Sequence, residues 1–260
     1  MGQNSRIEWT DHTFNPWWGC VKVSPACDHC YAESFAKRTG HQVWGKDAPR
    51  RFFGDKHWQE PVKWNREAAT LGQRQRVFCA SMADVFEGRA DVDDALGRLF
   101  GLIEATPMLD WLLLTKRPHN IAKLLPADWL THPKANVWLG VTVESPDYLW
   151  RVYQLRDVRA AVRFISYEPA LADVTWPLHG IHWLIAGGES GGGCRPPQPE
   201  WMRSARDQAT AAGTAFLFKQ WGGFNAKANG RVLDGRTWDE LPAQMATEAR
   251  PQDDPTPEGR

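Results

Sequence analysis

Three of the five cysteines in this 260-residue chain, Cys20, Cys27 and Cys30, fall within eleven residues, spaced C-x6-C-x2-C. Thiolates gathered this closely commonly share a metal, because soft sulfur suits zinc or iron–sulfur clusters. The turn Ser24-Pro25-Ala26 can fold the first cysteine back towards the pair. The pair opens an expected helix, where free N–H groups favour thiolate over thiol. Three ligands discriminate between metals. A structural zinc site closes with four, which calls for a histidine: His12, His29 or His41. An electron-transfer cluster also takes four cysteines. Three on a cubane leave one iron open to an exogenous ligand, which is how radical enzymes hold S-adenosylmethionine (SAM). A disulfide with one thiol left over is the remaining reading.

Short apolar runs then alternate with helix-length polar stretches. The runs are Val77–Ser81, Trp111–Thr115, Val137–Val143, Arg163–Tyr167, His182–Ala186 and Ala215–Phe218. Helices are expected over Tyr31–Thr39, Pro61–Leu71, Asp91–Ala105, Ile121–Leu125, Asp147–Val158 and Trp201–Ala212. A first strand near Thr13–Trp18 brings the count to about seven, with Ile7–Thr10 and Thr13–Phe14 as short extended pieces that could pair. The pattern predicts an α/β fold: a parallel (βα) barrel of TIM type, complete or partial, with an N-terminal cysteine-rich loop. The link from Tyr167 to His182 is turn-rich and carries no helix signal. Residues 1–240 read as one domain, and the proline-bearing, acidic stretch 241–260 as a disordered tail.

The carboxyl ends of parallel strands open on one face, where barrels place their sites. Asp84, Lys116, Arg117, Glu144, Glu168, Glu189 and Lys219 each follow an apolar run closely and are expected to ring that mouth. Gly187 and Gly188 permit close backbone approach to a ligand. The carboxylates and a lysine can read the zwitterionic end of SAM or hold ribose hydroxyls, and as ligand readers Glu144, Glu168 and Glu189 should contribute little to stability. Cys79 lies inside an apolar run and reads as a small buried hydrophobe. Cys194 follows Gly191-Gly192-Gly193 at the same mouth. Its thiol could donate a hydrogen atom to a substrate radical, against the plainer reading of an incidental loop cysteine.

Formal charge is zero and the sequence pI about 7.1, so no global field points to nucleic acid. A local patch remains: residues 41–58 interleave Lys46, Arg50, Arg51 and Lys56 with Trp44, Phe52, Phe53 and Trp58. Such a stretch can follow phosphates and stack bases, or simply cap a core. Met1–Arg6 is polar and no apolar run approaches a bilayer's width, so neither export nor membrane insertion is expected. The cysteine usage fits a reducing cytoplasm.

Several stretches together resemble the phage-associated three-cysteine-motif family of radical-SAM-like proteins. They are Trp17-Trp-Gly-Cys20 with Cys27-Asp-His-Cys-Tyr-Ala-Glu33, Ser81-Met-Ala-Asp84, Leu114-Thr-Lys-Arg-Pro118, Val137-Trp-Leu-Gly-Val-Thr-Val-Glu144, Ser166-Tyr-Glu-Pro169, Gly187-Gly-Glu-Ser-Gly191 and Phe218-Lys-Gln-Trp-Gly222. The resemblance implies a [4Fe-4S] cluster on Cys20, Cys27 and Cys30 that cleaves SAM to a 5′-deoxyadenosyl radical. By the same analogy His29 packs near the adenine, Ser81 to Asp84 meet the methionyl amine, and Glu144 and Glu168 address the ribose or carboxylate. The broad pattern is also similar to spore photoproduct lyase, a DNA-lesion repair enzyme, at the level of fold. A nucleic acid or nucleotide substrate, undergoing repair or modification, is expected from the basic-aromatic stretch 41–58 and the fifteen tryptophans, with a flavodoxin- or ferredoxin-like electron donor and a monomeric protein. The departure is C-x6-C where C-x3-C is commoner. The alternative is a non-catalytic, zinc-stabilised module that binds nucleic acid or a phage component.

Overall fold

The computed structural model describes residues 2, 5, 7–225 and 229–243. The expected tail lies, from residue 244 on, outside the described residues. In chain order the elements are β1 (His12–Thr13), β2 (Trp17–Trp18), α1 (Tyr31–Arg38), β3 (Arg51–Phe52), α2 (Asp55–Leu71), β4 (Gln75–Cys79), α3 (Asp93–Glu104), β5 (Leu109–Thr115), α4 (Ile121–Leu124), α5 (Ala127–Thr131), β6 (Val137–Thr142), α6 (Trp150–Arg156), β7 (Val162–Tyr167), β8 (Trp183–Gly187), α7 (Pro199–Ala212) and β9 (Ala215–Gln220). Seven strands form one all-parallel sheet in the order β1-β4-β5-β6-β7-β8-β9. The sheet curls into a half-barrel whose edges, β1 and β9, do not pair with each other among the described residues.

Alternation along the strands sorts the side chains into two cores. The convex face, with Val77, Trp111, Leu113, Leu139 and Ile165, packs on the helices. The concave face carries Phe78, Leu112, Trp138, Phe164, Trp183 and Ile185, joined by Trp9 from the N-terminal segment. Trp9 meets the rings of Phe78, Phe164 and Trp183 at centroid distances of 4.6, 6.3 and 6.3 Å. Aromatic rings thus plug the floor of the open barrel. Higher on the same face the side chains turn polar: Lys116, Thr142, Ser166, Glu168 and Lys219 continue the inward positions of β5, β6, β7 and β9.

Three expectations need correction. Ile7–Thr10 is a turn rather than an extended piece, because its tryptophan is needed in the floor. The first strand divides: β1 joins the sheet, while β2 leaves it and pairs antiparallel with β3. Helix α2 begins at Asp55 and runs through Pro61, which sits buried in its second turn. Burial of Trp58, Pro61, Trp64 and Ala68 along one face outweighs the lost proline donor. Cys79 is fully buried on the convex side, as its apolar run suggests.

Gly140 faces the floor, where an added Cβ would lie 2.2 Å from the Phe164 ring. That ring is itself confined by Trp9 and Trp183. Gly140→Ala should therefore destabilise by about 1–3 kcal/mol in urea unfolding through overpacking. Gly101→Ala, in open space on α3, should stabilise by roughly 0.5–1 kcal/mol.

Candidate functional site

At the carboxyl ends of the strands the half-barrel opens into a cavity of about 720 Å³. Cys20, Cys27 and Cys30 all line it, and all are free thiols. Each is placed differently. Cys20 follows β2 and is held by a bridge to Trp44. Cys27 ends a 3-10 turn begun by Pro25, and Cys30 caps α1. Burial pushes the Cys20 thiol up to about 12, with the nearby Asp84 charge adding to the rise. Burial also raises Cys30, although the backbone N–H groups of Glu33 and Ala32 at the start of α1 pull against it. Among the described residues no three His, Cys, Asp or Glu side chains are gathered so as to hold a single metal ion. Of the three histidines named for a zinc site, His12 is stacked on Trp64 and bonded to Gln75, and His41 packs edge-on to Trp18. His29 does line the cavity, and its Nδ1 donates to Glu189 Oε2 at 3.1 Å, since a carboxylate can only accept.

The other named residues divide by how they are engaged. Ser81, Asp84, Lys116, Glu168, Gly188 and Glu189 line the cavity. Asp84 is buried and both its oxygens are occupied. Oδ1 accepts from Thr115 Oγ1 at 2.6 Å and Phe86 N at 3.0 Å; Oδ2 accepts from Arg117 Nη1 at 2.8 Å and Lys116 N at 3.1 Å. A carboxylate so saturated supports its neighbours and has little capacity left for an incoming amine. Glu168 is paired with Lys219 across the mouth. Lys116 has only Thr142 Oγ1, at 3.4 Å, and among the described residues no carboxylate within salt-bridge reach. Of the lysines and arginines lining the cavity it is the one without a carboxylate partner among the described residues, since Lys22, Arg117 and Lys219 are paired with Glu33, Asp84 and Glu168.

Glu144, Gly187 and Cys194 are not among the lining residues. Glu144 is fully buried and bonded to the equally buried Arg151 at 2.9 Å. That pair argues against the expectation that Glu144 contributes little to stability. Gly187 lies behind Lys219 and Glu168, and Gly188 must be glycine because a Cβ would fall 2.0 Å from the Trp221 carbonyl oxygen. That close approach packs the loop after β8 on Trp221, and Gly188 also lines the cavity. Cys194 is half-buried in the turn closed by its N–H to Gly191 O. The basic-aromatic stretch is largely structural. Trp58 is core, and the buried Arg50 grips Glu87 and the carbonyls of Val43 and Ala48. Arg51 lies over the rings of Trp18 and Phe53, at 4.5 and 5.1 Å.

Sequence reading did not single out Tyr31 or Arg195 as site residues. Tyr31 directly follows Cys30, and that adjacency was the available signal. Its hydroxyl donates to Ser81 O at 2.9 Å, and the residue, 52% exposed, lines the cavity. Arg195 follows the glycine run. It donates to Glu189 through its backbone N–H and its guanidinium, and to Pro25 O at 2.8 Å. No sequence pattern foretells that reach.

Residues 4–242 match the family described as "Protein of unknown function (DUF5131)". The chain belongs to this family. No curated protein matches. Solved structures of spore photoproduct lyase are similar in fold. A mutant of that lyase with one tyrosine replaced by phenylalanine aligns with a TM-score of 0.50 at 13% identity. A double mutant "with bound AdoMet and dinucleoside spore photoproduct" aligns at 0.49 and 12%. Both alignments cover 81% of this DUF5131 chain and 64% of the lyase chain, so the chain spans somewhat under two thirds of those proteins. Among the described residues no helix is long and apolar enough to cross a membrane.

Two outcomes follow. Glu144→Gln should cost about 3–5 kcal/mol in urea unfolding, because it leaves Arg151 buried without its counter-charge. Burial pushes the Glu189 carboxyl up, but hydrogen bonds from Arg195 and His29 outweigh it and hold its pKa below the ordinary value. A lowered folded pKa stabilises above the unfolded value and is lost as pH falls through it. The stability gap between the parent and Glu189→Gln should therefore close progressively below about pH 4.3.

Proposed function

We propose that this DUF5131 protein is a radical SAM enzyme, with a [4Fe-4S] cluster on Cys20, Cys27 and Cys30 and SAM in the cavity beside it. One observation carries the reading: three free cysteines line one large cavity at the strand ends. The donor chemistry fits as well, since three thiolates leave one iron for SAM. When bound, the two groups together supply reductive SAM cleavage and hydrogen abstraction from a substrate.

The chain's own residues then have defined tasks. In this reading Lys116 neutralises the methionyl carboxylate. Thr142 and Ser166, beside it on the concave face, offer hydroxyls to the polar end of the ligand. Tyr31 supplies a rigid ring wall, its hydroxyl tied to Ser81 O. The aromatic floor of Trp9 and Phe78 keeps water from entering beneath. The cavity falls within the range of sites that enclose small molecules, about 300–1,000 Å³. A nucleic acid or nucleotide substrate goes with this reading; the part of the basic-aromatic stretch left to meet it is Arg51 over the Trp18 and Phe53 rings with the half-exposed Phe52, all outside the cavity lining.

Anaerobic reconstitution tests this directly. The parent protein should turn brown, bind about four irons, and release 5′-deoxyadenosine from SAM under a strong reductant. Cys20→Ala, Cys27→Ala and Cys30→Ala should each lose the cluster, and Cys79→Ala should keep it. A colourless protein holding zinc, or full iron retention in Cys20→Ala, would overturn the reading. Adding oligonucleotides to the cleavage assay then asks whether nucleic acid raises turnover.

A further inference from the structure

The half-barrel is open between β1 and β9, yet its mouth is bridged. The cysteine loop starts on the β1 side, and the loop after β8 starts near the β9 edge. Their contacts converge on Arg195. Its Nη2 donates to Pro25 O at 2.8 Å, in the turn that carries Cys27. Its Nη1 lies 3.6 Å from Asp28 Oδ2. Its Nε and backbone N–H donate to Glu189 Oε2, at 2.9 and 2.8 Å, and Nη2 also reaches Oε1. Glu189 in turn accepts from His29. One guanidinium thus joins the loop after β8 to the residues on both sides of Cys27.

We infer that Arg195 is a positioning residue: the clasp that fixes the cysteine loop over the cavity by closing the open side of the half-barrel. This rests on the proposed cluster only for its purpose, since the clasp itself exists in the cluster-free chain. The geometry suits an arginine. A fork of donors can hold a carboxylate with one edge and a carbonyl with another, which a lysine cannot do. The Glu189 side chain is nearly buried at 5% exposure, and the Arg195 side chain is 35% exposed. The anchor is therefore fixed in the barrel and the arm reaches outward. Without the arm, the hydrogen bonds of the Pro25–Cys27 turn among the described residues are local, Cys27 N to Ser24 O and Asp28 N to Pro25 O, and the loop's remaining tie to Glu189 is His29, two residues beyond the turn's end. The Gly191 and Gly193 φ angles of +112° and +77° let the chain double back between Glu189 and Arg195, so that both act on one loop.

Hydrogen exchange on the metal-free protein reads the clasp without any cofactor. Arg195→Ala should speed amide exchange in residues 21–30 about tenfold, with strands β5 to β8 unchanged. Arg195→Lys should fall in between, since it keeps the charge and loses the fork. After reconstitution, iron content should drop in the same order. Unchanged exchange over residues 21–30 in Arg195→Ala would overturn the inference. So would equal acceleration throughout the sheet, which marks general destabilisation. If exchange rises as expected while the parent protein takes up no cluster, the clasp stands and the radical SAM reading fails. If the parent assembles its cluster and exchange does not change, the clasp alone fails.

Discussion

The mouth of this half-barrel depends on one buried carboxylate. Asp84 sits just past β4 and takes donors from the end of β5, from its own turn and from Arg117. Two neighbouring strands are thereby tied at their carboxyl ends, where a half-barrel lacks the closure that stiffens a full one. Arg117, so anchored, extends to the cysteine loop: Nη2 donates to Val21 O at 2.8 Å, and Nη1 lies 3.7 Å from Cys20 Sγ. Removing one partner of such a pair leaves a buried charge uncompensated, a loss of about 3–5 kcal/mol. Replacing both would avoid that loss but would free the loop. The pair is therefore retained for position more than for net stability.

The same logic divides the concave face. Its lower part is aromatic, packed ring against ring with the Trp138 and Trp183 centroids 6.2 Å apart and no room for a Cβ on Gly140. That density fixes the curl of the sheet and the direction of every inward side chain above it. Its upper part is polar and includes charges paired with each other, Glu168 with Lys219 and Asp84 with Arg117. Lys116, lacking such a partner among the described residues, is the exception in this tier. A rigid apolar base thus lies beneath a polar tier whose other charges are already paired.

Much of this was legible before folding. Six strand positions, their parallel order and the charged residues at their ends follow from apolar runs and spacing, because parallel strands buried on both faces read as continuous hydrophobic stretches. The three cysteines announced themselves by density. What escaped was long-range. Glu144 has the same local pattern as Glu168, an acidic residue ending an apolar run, yet one is sealed against Arg151 and the other faces the cavity. The difference lies in which way the chain turns after the strand, which neighbours in sequence do not encode. Arg195 meets Pro25 across 170 residues. Arg50, read as a candidate phosphate contact, is consumed by Glu87, a partner 37 residues away.

The six-residue spacing between Cys20 and Cys27 finds a physical explanation in these contacts. A longer loop costs entropy, but slowly: doubling its length adds only about 0.6 kcal/mol. A charge-assisted hydrogen bond to a backbone carbonyl returns roughly 1.5–3 kcal/mol. The loop presents two such carbonyls, Val21 O to Arg117 and Pro25 O to Arg195, each arginine braced by a carboxylate of the barrel. The added length therefore need not loosen the cysteines. It supplies the two attachment points by which opposite sides of an open barrel hold them, and this makes a half-barrel sufficient where a shorter loop would have to depend on its own turns.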